Sequence, residues 1–194
     1  MIEIRIHGRG GQGNVVAAYI LAAAAIEQGY FAQAFPNFGA ERRGAPVAAF
    51  VRIAREPVMR RSQVLHPHYL IVQDRALLHV PGVTDGLMAD GGILVNTSKR
   101  ADELVCMLEN DIVTLPAGQI AVRHLGRPLP NTALLAAFTA LTGLVSSDAL
   151  EQALRQRLQG KGDKVLQANL DLVREVTASV SANKWRREGY ATNA

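Results

Sequence analysis

Short apolar runs alternate with longer segments of helical periodicity along most of the chain. The runs of strand length are Ile2–Ile6, Phe31–Phe35, Val47–Ile53, Tyr69–Asp74, Ile93–Asn96 and Asp111–Leu115. The helical patterns cover Gly13–Gln28, a short turn around Asp85–Met88, Asp102–Glu109, Gly118–Leu125, Thr132–Leu141, Asp148–Arg157 and Lys164–Lys184. Several strand candidates carry consecutive aliphatic residues, as strands buried on both faces do. The pattern predicts an α/β fold of three α/β/α layers with a mostly parallel, Rossmann-like sheet.

Local signals predict two helix starts and the extent of the domain. Asp148 with Glu151 three residues later predicts a capping box, and Asn131 before an apolar run predicts an N-cap. No linker or repeat divides the chain, so we expect residues 1–182 to form one α/β domain. Residues 183–194 form a polar tail with Trp185, which we expect to dock on a partner or to fray rather than to join the core.

The composition is that of an ordinary globular protein, with 194 residues, 48% of them apolar, and a formal charge of +4. Few aromatic residues and scattered basic ones disfavour a nucleic-acid-binding protein. Cys106 is the single cysteine, so the chain cannot hold an iron–sulfur cluster or close an internal disulfide. The most apolar stretch, Asn14–Ile26, is shorter than the roughly 20 residues of a membrane-spanning helix. We therefore expect a cytoplasmic protein that contacts no membrane.

A glycine-rich motif lies between the first predicted strand and the first predicted helix. It comprises Gly8, Arg9, Gly10, Gly11, Gln12 and Gly13, and it matches the pattern GxGxxG. In such a loop backbone N–H groups approach a phosphate, and the positive end of the helix faces the anion. A tight turn without a ligand is the alternative interpretation.

The second predicted strand decides between nucleotide ligands. An NAD site requires an Asp or Glu near the end of that strand, and Phe31–Phe35 has none. NAD is therefore disfavoured. Arg42 and Arg43 follow in the irregular segment Pro36–Pro46, where they could bind a ligand with an additional phosphate, such as NADP or coenzyme A.

Other polar residues have simpler interpretations. The amide of Asn131 could contact a ligand, although a helix cap alone would explain it. His7 adjoins the glycine motif but could simply end a strand. His66 and His68 lack a third ligand nearby, so a surface turn is favoured over a metal site. The sequence contains no recognisable catalytic set, so, if the chain belongs to an enzyme, the chemistry is expected to lie elsewhere.

Longer motifs resemble the gamma subunits of the 2-oxoacid:ferredoxin oxidoreductase family, and within it those of pyruvate:ferredoxin oxidoreductase. The matching segments are Ile4–Gly13 (IRIHGRGGQG), Phe31–Pro46 (FAQAFPNFGAERRGAP), Val72–Asp74, Ile93–Thr97 and Leu125–Ala133 (LGRPLPNTA). The resemblance extends from the first strand to the final helix and ends at the basic, Trp-containing tail.

The resemblance implies a subunit of an enzyme that converts pyruvate and coenzyme A to acetyl-CoA and CO2 and reduces ferredoxin. Thiamine diphosphate, Mg2+ and [4Fe-4S] clusters would lie on the alpha, beta and ferredoxin-like delta subunits. This chain would help to hold coenzyme A near the thiamine. The implied contacts are the loop Gly8–Gly13, the pair Arg42 and Arg43, and Asn131.

Three alternatives remain open at this point. The enzyme could act on another 2-oxoacid, such as 2-oxoglutarate, a branched-chain oxoacid, indolepyruvate or oxalate, although Pro36–Pro46 favours pyruvate. The chain could be a stand-alone NADP-binding protein. It could also be a purely structural subunit whose glycine motif is only a turn.

Overall fold

A computed structural model describes residues 1–37, 44–104 and 110–187. The strands are β1 (Ile2–Arg9), β2 (Phe31–Asn37), β3 (Pro46–Ala54), β4 (Tyr69–Val72), β5 (Gly92–Asn96) and β6 (Asp111–Leu115). The α-helices are α1 (Asn14–Glu27), α2 (Ala117–Leu125), α3 (Asn131–Thr142), α4 (Ser147–Arg157) and α5 (Asp163–Ser179). Two 3-10 helices occupy Arg75–His79 and Ala101–Glu103. All six predicted strands are present, with ends within a few residues of those predicted.

The strands form one sheet in the order β2-β3-β1-β4-β5-β6. The pairs β1–β4, β4–β5 and β5–β6 are parallel, whereas β3 is antiparallel to both β1 and β2. The α/β class and the mostly parallel sheet are thus confirmed. Because β3 is inserted between them, β1 and β2 run in the same direction without being neighbours. Their carboxyl ends lie at the same edge of the sheet as the start of β3.

The two faces of the sheet are covered differently. Ile4 and Ile6 of β1 face the helical layer, in a core to which all five α-helices contribute. The alanines of α1 that are buried against the sheet allow a close approach: Ala17, Ala18, Ala22, Ala24 and Ala25. On the opposite face Leu70 and Val72 pack in a second cluster with Leu77 and Leu104. Within the described residues, the 3-10 helices and connecting segments form this outer layer.

A buried ion pair organises the polar part of the second face. Arg52 of β3 is 0% exposed, and its Nε donates to Glu3 Oε1 at 2.8 Å. The rest of the guanidinium donates to backbone carbonyls, including those of Arg60 at 3.1 Å and Ser62 at 2.7 Å. A buried guanidinium requires such complete pairing. Arg52 therefore anchors the segment after β3 against the sheet.

Both predicted helix caps are wrong. Ser146, not Asp148, is the N-cap of α4, and its Oγ accepts a hydrogen bond from Ala149 N at 3.2 Å. Asp148 lies in the first turn, where its charge is favourable to the helix dipole. Pro130 is the N-cap of α3, and no side chain caps that helix. In addition, the predicted helix Asp102–Glu109 begins as the short 3-10 helix, and residues 105–109 lie outside the described residues.

The C-terminal segment also differs from the prediction. Helix α5 ends at Ser179 rather than Lys184, because Val180 is extended and the chain turns back towards the sheet. Trp185 is only 8% exposed and belongs to the main core. Its ring stacks on Tyr69 with centroids 5.8 Å apart, and its Nε1 donates to Asp111 Oδ2 at 2.6 Å. The expectation that the segment from Asn183 lies outside the core is therefore wrong for Trp185, whereas Asn183 and Lys184 are exposed.

Trp185→Ala should lower the free energy of unfolding by about 3–5 kcal/mol, because it opens a large cavity over Tyr69 and leaves Asp111 without its indole donor. Urea denaturation measures this change. Arg186→Ala is the matched control, because the neighbouring side chain is exposed, and it should change stability by less than about 0.5 kcal/mol. Equal effects of the two variants would contradict the assignment of Trp185 to the core.

Candidate functional site

The glycine motif forms the turn between β1 and α1. Gly11 (φ 95°) and Gly13 (φ 79°) have left-handed backbone conformations, which glycine adopts without strain. Gly13 is the N-cap of α1, no side chain caps the helix, and its first turn contains no acidic residue. In the described part of the chain, the N–H groups of Gly11 and Gly13 have no hydrogen-bond partner. The positive end of α1 is therefore available to an anion.

Two glycines of the motif are required by close packing. A Cβ atom at Gly8 would lie 2.2 Å from Asn14 Oδ1, and one at Gly13 would lie 2.8 Å from Asn131 Nδ2. Asn131 is thus not a cap, because its side chain lies against the turn. The contact brings the start of α3 to the start of α1.

Other groups of the motif are used within the protein. Gly10 N donates to Ala45 O at 3.0 Å, and Arg9 N donates to Gln12 Oε1 at 2.7 Å. The guanidinium of Arg9 forms an ion pair with Asp74 and donates to Gly44 O at 3.1 Å. Partial burial acts to raise the pKa of Asp74, but hydrogen bonds from Arg9 and Ala76 N outweigh it and lower that pKa overall. Arg9, Gly10 and Gln12 therefore shape the turn.

Arg42 and Arg43 lie outside the described residues. The segment that contains them joins the end of β2 at Asn37 to Gly44, two residues before β3 begins at Pro46. The register of β3 places Ala48 beside Asn37 and Pro46 beside Arg9. Both ends of the segment thus lie at the edge of the sheet that carries the glycine turn.

Buried carboxamides occupy the same edge, and sequence reasoning did not identify them as site residues. Gln73, directly after β4, is 1% exposed, and among the described residues neither its Nε2 nor its Oε1 has a hydrogen-bond partner. Asn14 donates to Val47 O at 2.9 Å, but its buried Oδ1 has no partner among the same residues. Because buried polar atoms are nearly always hydrogen-bonded, these atoms indicate a place for a water molecule or a ligand. A polar residue at the start of an apolar helix, as at Asn14, is the signal that could have identified one of them.

The carboxamide of Asn96, at the end of β5, differs from that of Gln73 because it is hydrogen-bonded within the fold. Its Nδ2 donates to Gln73 O at 2.9 Å, and its Oδ1 accepts from Gly118 N at 3.0 Å. Asn96 therefore connects β4 to α2. Unlike that of Gln73, its carboxamide is fully used by the fold.

His7 is buried within β1 and does not provide a positive charge. Desolvation and, secondarily, repulsion from Arg5 lower the pKa of His7 to about 4. Its Nε2 is buried without a partner. His68 is held differently, since its Nδ1 accepts a hydrogen bond from Glu3 N at 3.2 Å. The described residues contain no group of three His, Cys, Asp or Glu side chains that could hold a metal ion.

The sheet order argues against a dinucleotide site. In the Rossmann arrangement the second strand lies beside the first, so its terminal carboxylate can reach the ribose. Here β3 separates β1 from β2. At the end of β2, Asn37 Oδ1 accepts a hydrogen bond from Gln63 Nε2 at 2.9 Å. The edge therefore has the glycine turn and helix start of such a site without the strand position that would contact the ribose.

The fold and this edge define an α/β protein whose glycine turn presents an uncapped helix start. Residues 3–179 match the family model of pyruvate ferredoxin/flavodoxin oxidoreductase. The chain is 52% identical over 170 residues to the pyruvate synthase subunit PorC of Methanothermobacter marburgensis, covering 87% of this chain and 93% of the relative. It is 45% identical over 168 residues to the pyruvate/ketoisovalerate oxidoreductases common subunit gamma of Pyrococcus furiosus, covering 84% and 91%.

Solved structures agree with this relationship. The pyruvate oxidoreductase subunit PORC of Thermotoga maritima has a TM-score of 0.81 at 36% identity, over 91% of this chain and 95% of that one. The 2-oxoglutarate:ferredoxin oxidoreductase of Magnetococcus marinus, solved with 2-oxoglutarate, coenzyme A and succinyl-CoA bound, shares the fold with a TM-score of 0.76 at 21% identity, over 95% of this chain and 32% of that one.

The chain belongs to the pyruvate ferredoxin/flavodoxin oxidoreductase family. It corresponds to the gamma or PorC subunits over nearly their whole length, so the resemblance seen in the sequence is confirmed. It is thus a component of a multi-subunit 2-oxoacid:ferredoxin oxidoreductase. None of the described helices is long and apolar enough to span a membrane.

Lowering the pH from 6.5 to 4 should destabilise the protein through His7. The unfolded chain takes up a proton on this imidazole near pH 6.5, whereas the folded protein resists it down to about pH 4. The unfolded state therefore binds more protons in this interval, and stability falls by up to roughly 3 kcal/mol as the pH decreases.

His7→Gln should make this pH dependence shallower. Urea denaturation between pH 4 and 7 measures it. Part of the dependence should remain, because burial also lowers the pKa of His68. An unchanged slope in the variant would exclude His7 as its source.

Proposed function

We propose that this chain holds the phosphates of coenzyme A at the carboxyl edge of its sheet, within an enzyme that converts pyruvate and coenzyme A to acetyl-CoA and CO2 with reduction of ferredoxin. The observation that carries the proposal is the uncapped start of α1, with the unpaired N–H groups of Gly11 and Gly13. It also rests on membership of the family.

The residues at this edge fit a polyanionic ligand with polar groups of its own. Coenzyme A carries a diphosphate and a 3′-phosphate, which are attracted by a helix start and by guanidinium groups. Gly11 leaves room for such a ligand, because a Cβ atom there would meet nothing within 4 Å. The unpaired atoms of Gln73 and Asn14 could meet amide or hydroxyl groups of the ligand.

The site residues predicted from the sequence then have two different roles. We propose that Gly11 and Gly13 donate N–H groups and that Arg42 and Arg43 provide charge. Arg9 is already neutralised by Asp74. The residues that maintain the shape of the turn are Gly8, Arg9, Gly10, Gln12 and Asn131.

The contribution of this chain to the reaction is binding and orientation. Coenzyme A supplies the thiol that takes up the acyl group. Fixing its phosphates restricts where that thiol can lie, and such positioning can account for a large part of a rate enhancement. We propose that thiamine diphosphate, Mg2+ and the [4Fe-4S] clusters lie on the alpha, beta and ferredoxin-like delta subunits, with ferredoxin as the acceptor. The proposed location is the cytoplasm.

A second candidate is a gamma subunit that serves more than one 2-oxoacid. The Pyrococcus furiosus relative is described as common to pyruvate and ketoisovalerate oxidoreductases. Substrate choice would then depend on the partner subunits. Assays of the native complexes with pyruvate, 2-oxoglutarate and branched-chain oxoacids would separate the two candidates.

Reversing both charges with Arg42→Glu/Arg43→Glu should raise the apparent KM for coenzyme A at least about tenfold, since charge-assisted hydrogen bonds contribute about 1.5–3 kcal/mol each. The KM for pyruvate should not change. Anaerobic assays of the assembled enzyme with a viologen acceptor measure both constants. The matched control is Arg60→Glu/Arg61→Glu, because these two arginines are also adjacent in the sequence and their side chains are exposed. Unchanged coenzyme A kinetics in the test variant would remove Arg42 and Arg43 from the site.

Gln73→Met should weaken coenzyme A binding without destabilising the protein. The variant removes a buried carboxamide that has no partner, so the free energy of unfolding should stay constant or rise by about 1 kcal/mol. Asn96→Leu is the control, because its carboxamide is fully bonded and its loss should cost about 1–3 kcal/mol. Urea denaturation and the KM for coenzyme A test the pair. A loss of stability in both variants would contradict a ligand-contacting role for Gln73.

A further inference from the structure

A separate cavity of about 510 Å3 lies among the helices. It is bounded by α1, by the ends of α2 and α4, and by the starts of α3 and α5. Its deepest residues are buried: Ile20, Thr132, Leu154 and Asn169. Its walls are mainly aliphatic: Val16, Leu125, Leu129, Leu158 and Val165. The volume lies within the range of small-molecule sites, roughly 300–1,000 Å3.

The rim of this cavity carries an excess of positive charge. Arg127, Arg157, Lys161 and Lys164 line it, and their side chains are exposed. Within residues 1–37, 44–104 and 110–187, none of these four has a carboxylate partner. No carboxylate is among the residues that line the cavity.

Neighbouring cations on the same helices behave differently. Arg123 forms an ion pair with Glu175, and both Arg155 and Arg174 pair with Glu151. These three arginines, which do not line the cavity, are therefore neutralised by carboxylates, and Glu175 also pairs with His124 of the lining. The four cations at the rim are available to a ligand instead.

The helix dipoles at the cavity oppose one another, because α3 and α5 begin there whereas α2 and α4 end there. Neither α3 nor α5 has a side-chain cap. Asp163 in the first turn of α5 offsets part of the positive potential at the start of that helix, but its side chain does not line the cavity. The polar pair at the floor is already satisfied, because Thr132 Oγ1 donates to Asn169 Oδ1 at 3.1 Å. The floor and walls are thus complementary to an apolar part of a ligand, and the rim is complementary to an anionic part.

We propose that this cavity binds an amphipathic anion, with an aliphatic tail among the helices and a phosphate or carboxylate head at the four cations. The site differs from the glycine turn in its lining and in its ligand chemistry. Asn131 is the residue shared by both, since it lines the cavity and lies against Gly13.

Decyl phosphate and decanoate are suitable probes, because they share the tail and differ in the head. Isothermal titration calorimetry of the full chain should show one molecule bound per chain, with weaker binding at higher salt. Comparing the two probes identifies the preferred head group. Lys161→Glu/Lys164→Glu should lower the affinity at least tenfold, and Val165→Trp, which fills the cavity from a partly exposed wall, should abolish binding. Arg60→Glu/Arg61→Glu, a charge-matched pair away from the cavity, should bind normally.

Three results would overturn the proposal. Equal affinities in the rim and control variants would show non-specific binding. Displacement of decyl phosphate by coenzyme A would make the cavity part of the site at the glycine turn. Binding by the isolated chain that disappears in the assembled multi-subunit enzyme would assign the cavity to a segment of a partner subunit.

Discussion

The close contact between the end of β1 and the start of α1 determines the organisation of the candidate site. The side chain of Asn14 packs against Gly8, and that of Asn131 packs against Gly13. Both contacts are so close that a Cβ atom at either glycine would clash. These contacts bring the starts of α1 and α3 to one edge of the sheet. The uncapped N-terminus of α1, the segment before β3 and the unpaired carboxamide of Gln73 all lie at this edge as a result.

The position of β3 separates this glycine motif from the arrangement found in dinucleotide-binding proteins. An antiparallel strand inserted between β1 and β2 moves β2 away from the first strand. It also brings residues 44–46 beside the turn. There Gly10 N donates to Ala45 O, and the guanidinium of Arg9 donates to Gly44 O. The edge therefore retains the positive helix start and loses the position from which a carboxylate would bind a ribose.

Much of the fold and part of the site could be predicted from local sequence. All six strands were identified, because buried strands have a distinct composition and short length. The glycine turn followed from the motif, whereas its role in binding an anion stays a prediction. The helix caps were mistaken, because Ser146 and Asp148 are both good capping residues and backbone geometry decides between them. The burial of Trp185 was also missed, since a polar segment gives no local indication that one residue returns to the core.

The sequence by itself determined the α/β class, the family and the glycine turn, because these depend on periodicity and on contiguous motifs. Only the tertiary structure decided that β3 separates β1 from β2, that Asp74 neutralises Arg9, and that Gln73 is buried without a partner. It also decided that four cations from two helices and two connections surround one apolar cavity. Such features join residues far apart in the chain, and their energies depend on burial and pairing, which no local pattern encodes.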